Sequence, residues 1–120
     1  MLDGGIVDSI PVERAISQGY EKNIVVLTRN KGYRKKEKII KHPAFIYSRY
    51  PQLRQALAMR NIRYNSQLAM IEKMEDEGRI IVIRPENPIV VDRMERDVKK
   101  LTALYEEGYL CAEKVFSEKI

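Results

Sequence analysis

Leu2-Asp3-Gly4-Gly5-Ile6-Val7-Asp8-Ser9-Ile10-Pro11 opens the chain, and its reading decides the fold. An acid stands before two glycines, and a helix entry follows at once. Ser9 or Asp8 is suited to cap the free N–H groups there, and Pro11 fits a first turn, where its missing N–H loses no bond. Val12, Ala15 and Ile16 fall on one face at i, i+3, i+4 spacing. Gly19 supplies the residue that ends a helix by taking positive φ. The next run, Ile24-Val25-Val26-Leu27, holds four consecutive apolar residues that do not alternate. A strand apolar on both faces belongs in a parallel sheet covered by helices. Turn, helix and strand together present one carboxylate, Asp3, at a tight turn beside such a sheet.

Downstream the pattern repeats in kind. Pro51 suits a first helical turn, and Leu53, Leu57, Tyr64, Leu68 and Ile71 recur at three- and four-residue steps, with Ala56, Met70 and Met74 widening the stripe. Asn61 to Ser66 weakens it, so the helix over 50–77 is either continuous or broken there. Gly78 stops it. Ile80-Ile81-Val82-Ile83 is a second strand apolar on both faces, over 79–84, ended by Pro85 and Pro88. Asp92 with Glu95 three residues later reads as a capping box. Met94, Val98, Leu101, Tyr105, Ala112 and Val115 then continue one stripe over 92–118, with Gly108 inside it marking a close contact or a kink. The prediction is therefore an α/β chain: parallel strands at 24–28 and 79–84, covered by helices at 11–18, 50–77 and 92–118. Two strands joined by a long helical crossover run parallel, and both read as central strands of a wider sheet.

The chain has 120 residues, 44% hydrophobic and 32% charged, which suits a folded domain and argues against disorder. No apolar run approaches the roughly 20 residues of a membrane span. The N-terminus has no secretory pattern and Cys111 has no second cysteine to pair with, so a reducing cytoplasm is the expected setting. The +5 net charge is uneven. Residues 29–49 carry Arg29, Lys31, Arg34, Lys35, Lys36, Lys38, Lys41 and Arg49 against one acid, Glu37, and the other 99 residues sum to −2. A slightly acidic domain thus bears one basic loop. Ile39 and Ile40 are expected to anchor that loop on the core.

Asp3-Gly4-Gly5, the Pro11 entry, Gly19 and the strand Ile24-Val25-Val26-Leu27 resemble the Asp-Gly-Gly segment of patatin-like phospholipases. Tyr50-Pro51, the 79–84 strand and Asp97 through Gly108-Tyr109 look like the C-terminal region of bacterial members. The resemblance implies part of a three-layer patatin-like fold: residues 1–30 as the end of the catalytic domain and 31–120 as the C-terminal region of the same protein, in one compact unit. It implies an acyl hydrolase with a Ser–Asp dyad, in which Asp3 matches the dyad aspartate and takes the serine proton as general base. Gly4 and Gly5 would let the backbone turn without a side chain in the cleft. The substrate would be a lipid acyl ester or phospholipid, and no metal or organic cofactor is implied. None of the five serines (Ser9, Ser17, Ser48, Ser66, Ser117) lies in the family's Gly-x-Ser-x-Gly, and no glycine-rich oxyanion loop is present. The expectation is a C-terminal part of a longer enzyme, inactive by itself.

Plainer readings stand beside these. Asp3 also suits a simple Asp-Gly turn. His42 reads as a surface residue, Cys111 as a small buried hydrophobe, and Met59, Met70, Met74 and Met94 as helical core filler. The basic loop is either a solvated surface or a contact for an anionic membrane. No nucleic-acid motif accompanies it, so no nucleic acid partner is expected. The rival to the hydrolase is a non-catalytic interaction module that binds an anionic membrane or another macromolecule through this loop. An unpaired strand edge would favour a homo-oligomer of the isolated chain.

Overall fold

In a computed structural model of the chain, the structure describes residues 3–37, 43, 45 and 47–119. The chain is mixed α/β. A 3-10 turn, Gly4–Ile6, precedes helix α1 (Val12–Ser17), strand β1 (Asn23–Val26), helices α2 (Pro51–Ala58) and α3 (Arg60–Asp76), strand β2 (Ile80–Ile83) and helix α4 (Val98–Lys119). β1 and β2 pair in parallel, Asn23 opposite Ile80 through Val26 opposite Ile83. The chain divides into two compact units, Met1–Glu21 with Arg34–Glu77 and Lys22–Tyr33 with Gly78–Ile120. The boundary at residue 30 expected from sequence and this interleaved pairing of segments cut the chain differently. Among the described residues no helix is long and apolar enough to cross a membrane.

The first unit is helical. Gly19 ends α1 as expected: at φ +94° it lets Tyr20 N–H reach the Ala15 carbonyl at 3.1 Å and its own N–H reach Ile16 at 3.0 Å. The helix start differs from expectation. Pro11 stands just before α1, and no side chain caps it. The Ser9 hydroxyl instead donates to the Gly5 carbonyl at 2.7 Å, and Asp8 accepts from Gln67 Nε2 of α3 at 2.6 Å. The 50–77 helix is broken, at Met59 and not within 61–66, which lies inside α3. Val12, Ala56, Leu68, Ile71 and Met74 are buried, Ile71 completely. Truncating Leu68, Ile71 or Met74 to alanine typically costs about 2–5 kcal/mol.

The second unit holds the sheet and α4, which packs on β2. The middle of α4 lies beside the C-terminal strand ends, Val26 and Ile83, while Lys119 lies beside their N-terminal ends, Ile24 and Ile81. The helix therefore runs antiparallel to the strands. Val25, Val82, Ile80 and Ile83 are buried, but Ile24 is 49% and Val26 69% exposed. The expectation of a strand buried on both faces is corrected for β1. Among the described residues the sheet has two strands, so each is an edge strand, and α4 covers the β2 side of one face. α4 also starts later than expected. Asp92 to Glu95 forms a turn, and the helix is capped by Asp97, whose carboxylate accepts the Lys99 N–H at 2.9 Å. Met94 lies before the helix and is exposed, so it is not core filler.

Candidate functional site

Asp3 is the residue on which the chemistry would turn. Its backbone is extended (φ −62°, ψ 131°), and its carboxylate Oδ1 accepts the Gly5 N–H at 3.0 Å. The side chain thereby caps the 3-10 turn, whose own bonds join Ile6 N–H to the Asp3 carbonyl and Val7 N–H to Gly4. The carboxylate is exposed. The turn does not use the backbone freedom of its glycines, since neither Gly4 nor Gly5 takes positive φ. What they supply is space: a Cβ at Gly4 would meet nothing within 4 Å, and one at Gly5 would sit 3.5 Å from both Asp3 carboxylate oxygens. Ser9 and Asp8, through their bonds to Gly5 and Gln67, fix the far side of the turn to α3.

The basic segment is divided between the two units. In the second, the Arg29 guanidinium lies over the Tyr33 ring at 5.0 Å, and Lys31 is exposed. In the first, residues 34–37 run along α3 and are tied to it. Arg34 makes two hydrogen bonds to Glu72, at 3.1 and 2.8 Å, and this bonding raises its pKa above the ordinary guanidinium value against a smaller opposing effect of burial. The Lys35 ammonium lies 4.3 Å from the Tyr64 ring centre. Asn65, 4% exposed, accepts the Lys35 N–H at 2.8 Å and donates to the Lys35 carbonyl at 2.7 Å and to Glu37 at 3.2 Å. Asn61 donates to the Lys36 carbonyl at 3.2 Å, and Lys36 itself is exposed. Lys38, Lys41, His42, Ile39 and Ile40 lie outside the described residues.

The sequence reading missed Asn65 and Gln67. Their signal was present: Asn65 stands three residues before buried Leu68, so a polar side chain occupies a core position of the α3 stripe. A buried amide demands partners, and here they are the backbone of an otherwise irregular segment.

The second unit carries an apolar groove of about 410 Å³ between the sheet and α4, lined among others by Val26, Ile83, Pro85, Tyr105, Gly108 and Tyr109. Cys111 also faces it, half-buried and with a free thiol. A Cβ at Gly108 would meet nothing within 4 Å, so no described part of the chain approaches α4 closely there. At the far side Lys114 pairs with Glu86 at 3.3 Å, which raises the lysine pKa. Among the described residues no three His, Cys, Asp or Glu side chains are grouped to hold a metal ion.

No curated protein and no solved structure matches the chain. Residues 50–119 match the sequence model of a family described as a domain of unknown function, DUF6363. The matched segment covers more than half of the chain and runs from the residue before α2 to the end of α4, leaving the Asp3 turn, α1 and β1 outside it. The chain belongs to the DUF6363 family.

Proposed function

We propose that this chain is the C-terminal portion of a patatin-like serine acyl hydrolase of the cytoplasm, in which Asp3 is the aspartate of a Ser–Asp dyad and the two-stranded sheet is the end of a wider three-layer fold. The observation that carries the reading is the exposed Asp3 carboxylate, oriented by the Gly5 N–H at 3.0 Å and unshielded by any Cβ at Gly4. A carboxylate held in one orientation suits a general base that takes the proton of a serine Oγ as that oxygen attacks an acyl carbonyl carbon. The substrate class is a lipid acyl ester or phospholipid. The chain has no Gly-x-Ser-x-Gly, so the nucleophile comes from another segment and the 120 residues by themselves are inactive. The test is esterase activity of the complete protein. Asp3→Asn is expected to lower kcat by about 100-fold to 10,000-fold, the usual worth of a positioned base, with little change in KM. Full activity in that variant, or Asp3-dependent activity in the 120-residue chain, would end the proposal.

A second reading has support of its own. Eight basic side chains against one acid in residues 29–49 suit a module that binds an anionic partner without chemistry. Its contact would be the basic segment meeting an anionic membrane, where Lys31 and Lys36 are exposed.

A further inference from the structure

A second groove of the second unit, of about 530 Å³, lies where the N-terminal ends of both strands meet the last residue of α4. Its apolar walls are exposed Ile24, half-buried Ile81 and buried Ile80. Its charged residues are Lys22, Arg79 and Lys119, all three exposed, and among the described residues no acid lines it. Glu21 and Glu118 stand next to Lys22 and Lys119 in sequence, yet neither is part of the lining. Among the described residues neither lysine pairs with an acid elsewhere. The three cations come from three separate segments, so the fold gathers them and no basic run does. A Cβ at Gly78, between Lys22 and Arg79 on the rim, would meet nothing within 4 Å, so the groove is open on that side.

We infer that this groove binds a single-chain amphiphilic anion: one alkyl chain along Ile24 and Ile81, ending in a carboxylate or phosphate among Lys22, Arg79 and Lys119. Charge selects an anion. Three cations gathered without an acid repel one another, and a negative head among them turns that repulsion into attraction. The C-terminal end of α4 contributes a partial charge of about −0.5, which offsets only a small part of the three. The lysines supply point charges, and the arginine fork matches either head through two parallel hydrogen bonds. The walls select a chain. A bare inorganic anion would leave Ile24 in water at 49% exposure, whereas an alkyl chain laid along it removes apolar surface from water on both sides. Size selects a single chain. A cavity of about 150 Å³ holds benzene with its six carbons. On that scale the groove has room for on the order of 20 non-hydrogen atoms, enough for one acyl chain and its head but not for a diacyl lipid.

The inference does not rest on the hydrolase reading: its test measures binding to the 120-residue chain and needs no catalysis. Isothermal titration is expected to show saturable binding of decanoate or decyl phosphate, the tighter of the two identifying the head. Decanol lacks the charge and acetate lacks the chain, so each should bind about tenfold more weakly or worse. From hexanoate to decanoate, each methylene should tighten binding by up to about fourfold. Lys22→Glu and Lys119→Glu should each weaken decanoate binding about tenfold or more, with helical circular dichroism unchanged. Lys99→Glu makes the same change of charge about 30 Å from Lys119 along α4 and should leave binding as it was. Binding that ignores chain length, that decanol matches, or that falls equally in Lys99→Glu overturns the inference. So does a chain that binds neither decanoate nor decyl phosphate, and its co-sedimentation with phosphatidylglycerol vesicles would then put these cations on a membrane surface instead.

Discussion

Asn65 does more for the irregular part of the chain than any basic residue there. Its amide bonds both backbone groups of Lys35 and reaches Glu37, from a position on α3 that is 4% exposed. Replacing it with alanine removes three hydrogen bonds and leaves the Lys35 N–H and C=O facing a void. A buried group left unsatisfied costs about 1–3 kcal/mol, so Asn65→Ala is expected to lose about 2–3 kcal/mol in a urea melt. Asn65→Asp keeps an acceptor for the Lys35 N–H but cannot donate to the Lys35 carbonyl, and it places a carboxylate against Glu37. It should therefore fare no better. An Asn65→Ala loss under ~0.5 kcal/mol, the ordinary surface value, would mean water replaces the amide. The Arg34–Glu72 pair is geometrically better matched but partly open to solvent, at 35% and 23% side-chain exposure, where such pairs are typically worth under about 1 kcal/mol. Sequence reading counted these cations as one charged loop. It had no means to see that Arg34 and Lys35 are engaged, because their partners, Glu72 and Tyr64, stand about 30 residues or more further along the chain.

Among the elements, α4 separates what local sequence decides from what it does not. Its apolar spacing was legible over nearly its whole length. Its start was not, because two acids compete for the cap. Asp92 with Glu95 has the capping-box spacing, yet it makes only a turn, while Asp97 receives the Lys99 N–H directly. Asp97→Ala should therefore cost about 1 kcal/mol and Asp92→Ala close to nothing, measured as shifts in thermal midpoint. Equal effects from the two would restore Asp92 as the cap. The strands were placed within two residues for a local reason, four apolar residues in a row. Burial was misjudged for β1 alone, where Val25 is buried while Ile24 and Val26, on the opposite face, are exposed: an apolar run does not say which face a neighbour covers. The break between α2 and α3 fell at Met59 and not at the polar 61–66 run, since Asn65 and Asn61 are held by tertiary bonds that propensity does not register. At the Asp3 turn, the carboxylate's role as a cap was legible in Asp-Gly; that its glycines supply room and not positive φ was not.

At the scale of the molecule, the two units are interleaved, and the family segment 50–119 takes α2 and α3 from one and β2 and α4 from the other, but not β1. A fragment of those residues would leave both edges of β2 bare, with Ile80, Val82 and Ile83 losing the strand beside them. Such edges pair with other chains. The fragment is expected to keep far-ultraviolet helix signal but to melt without cooperativity and to aggregate, and residues 1–49 supplied in trans should restore a sharp transition. A cooperative melt of the fragment alone would show β1 to be dispensable. The pairing of Asn23 with Ile80 also carries a timetable. During synthesis β1 leaves the ribosome some 57 residues ahead of its partner strand. At about 5–20 residues per second that is a wait of roughly 3–11 s. In that interval α2 and α3 close their local turns within microseconds, while Ile24-Val25-Val26-Leu27 stays unpaired in the nascent chain. The sheet thus cannot form until β2 follows, and the speed of translation between β1 and β2 sets how long the β1 segment is left to chaperones.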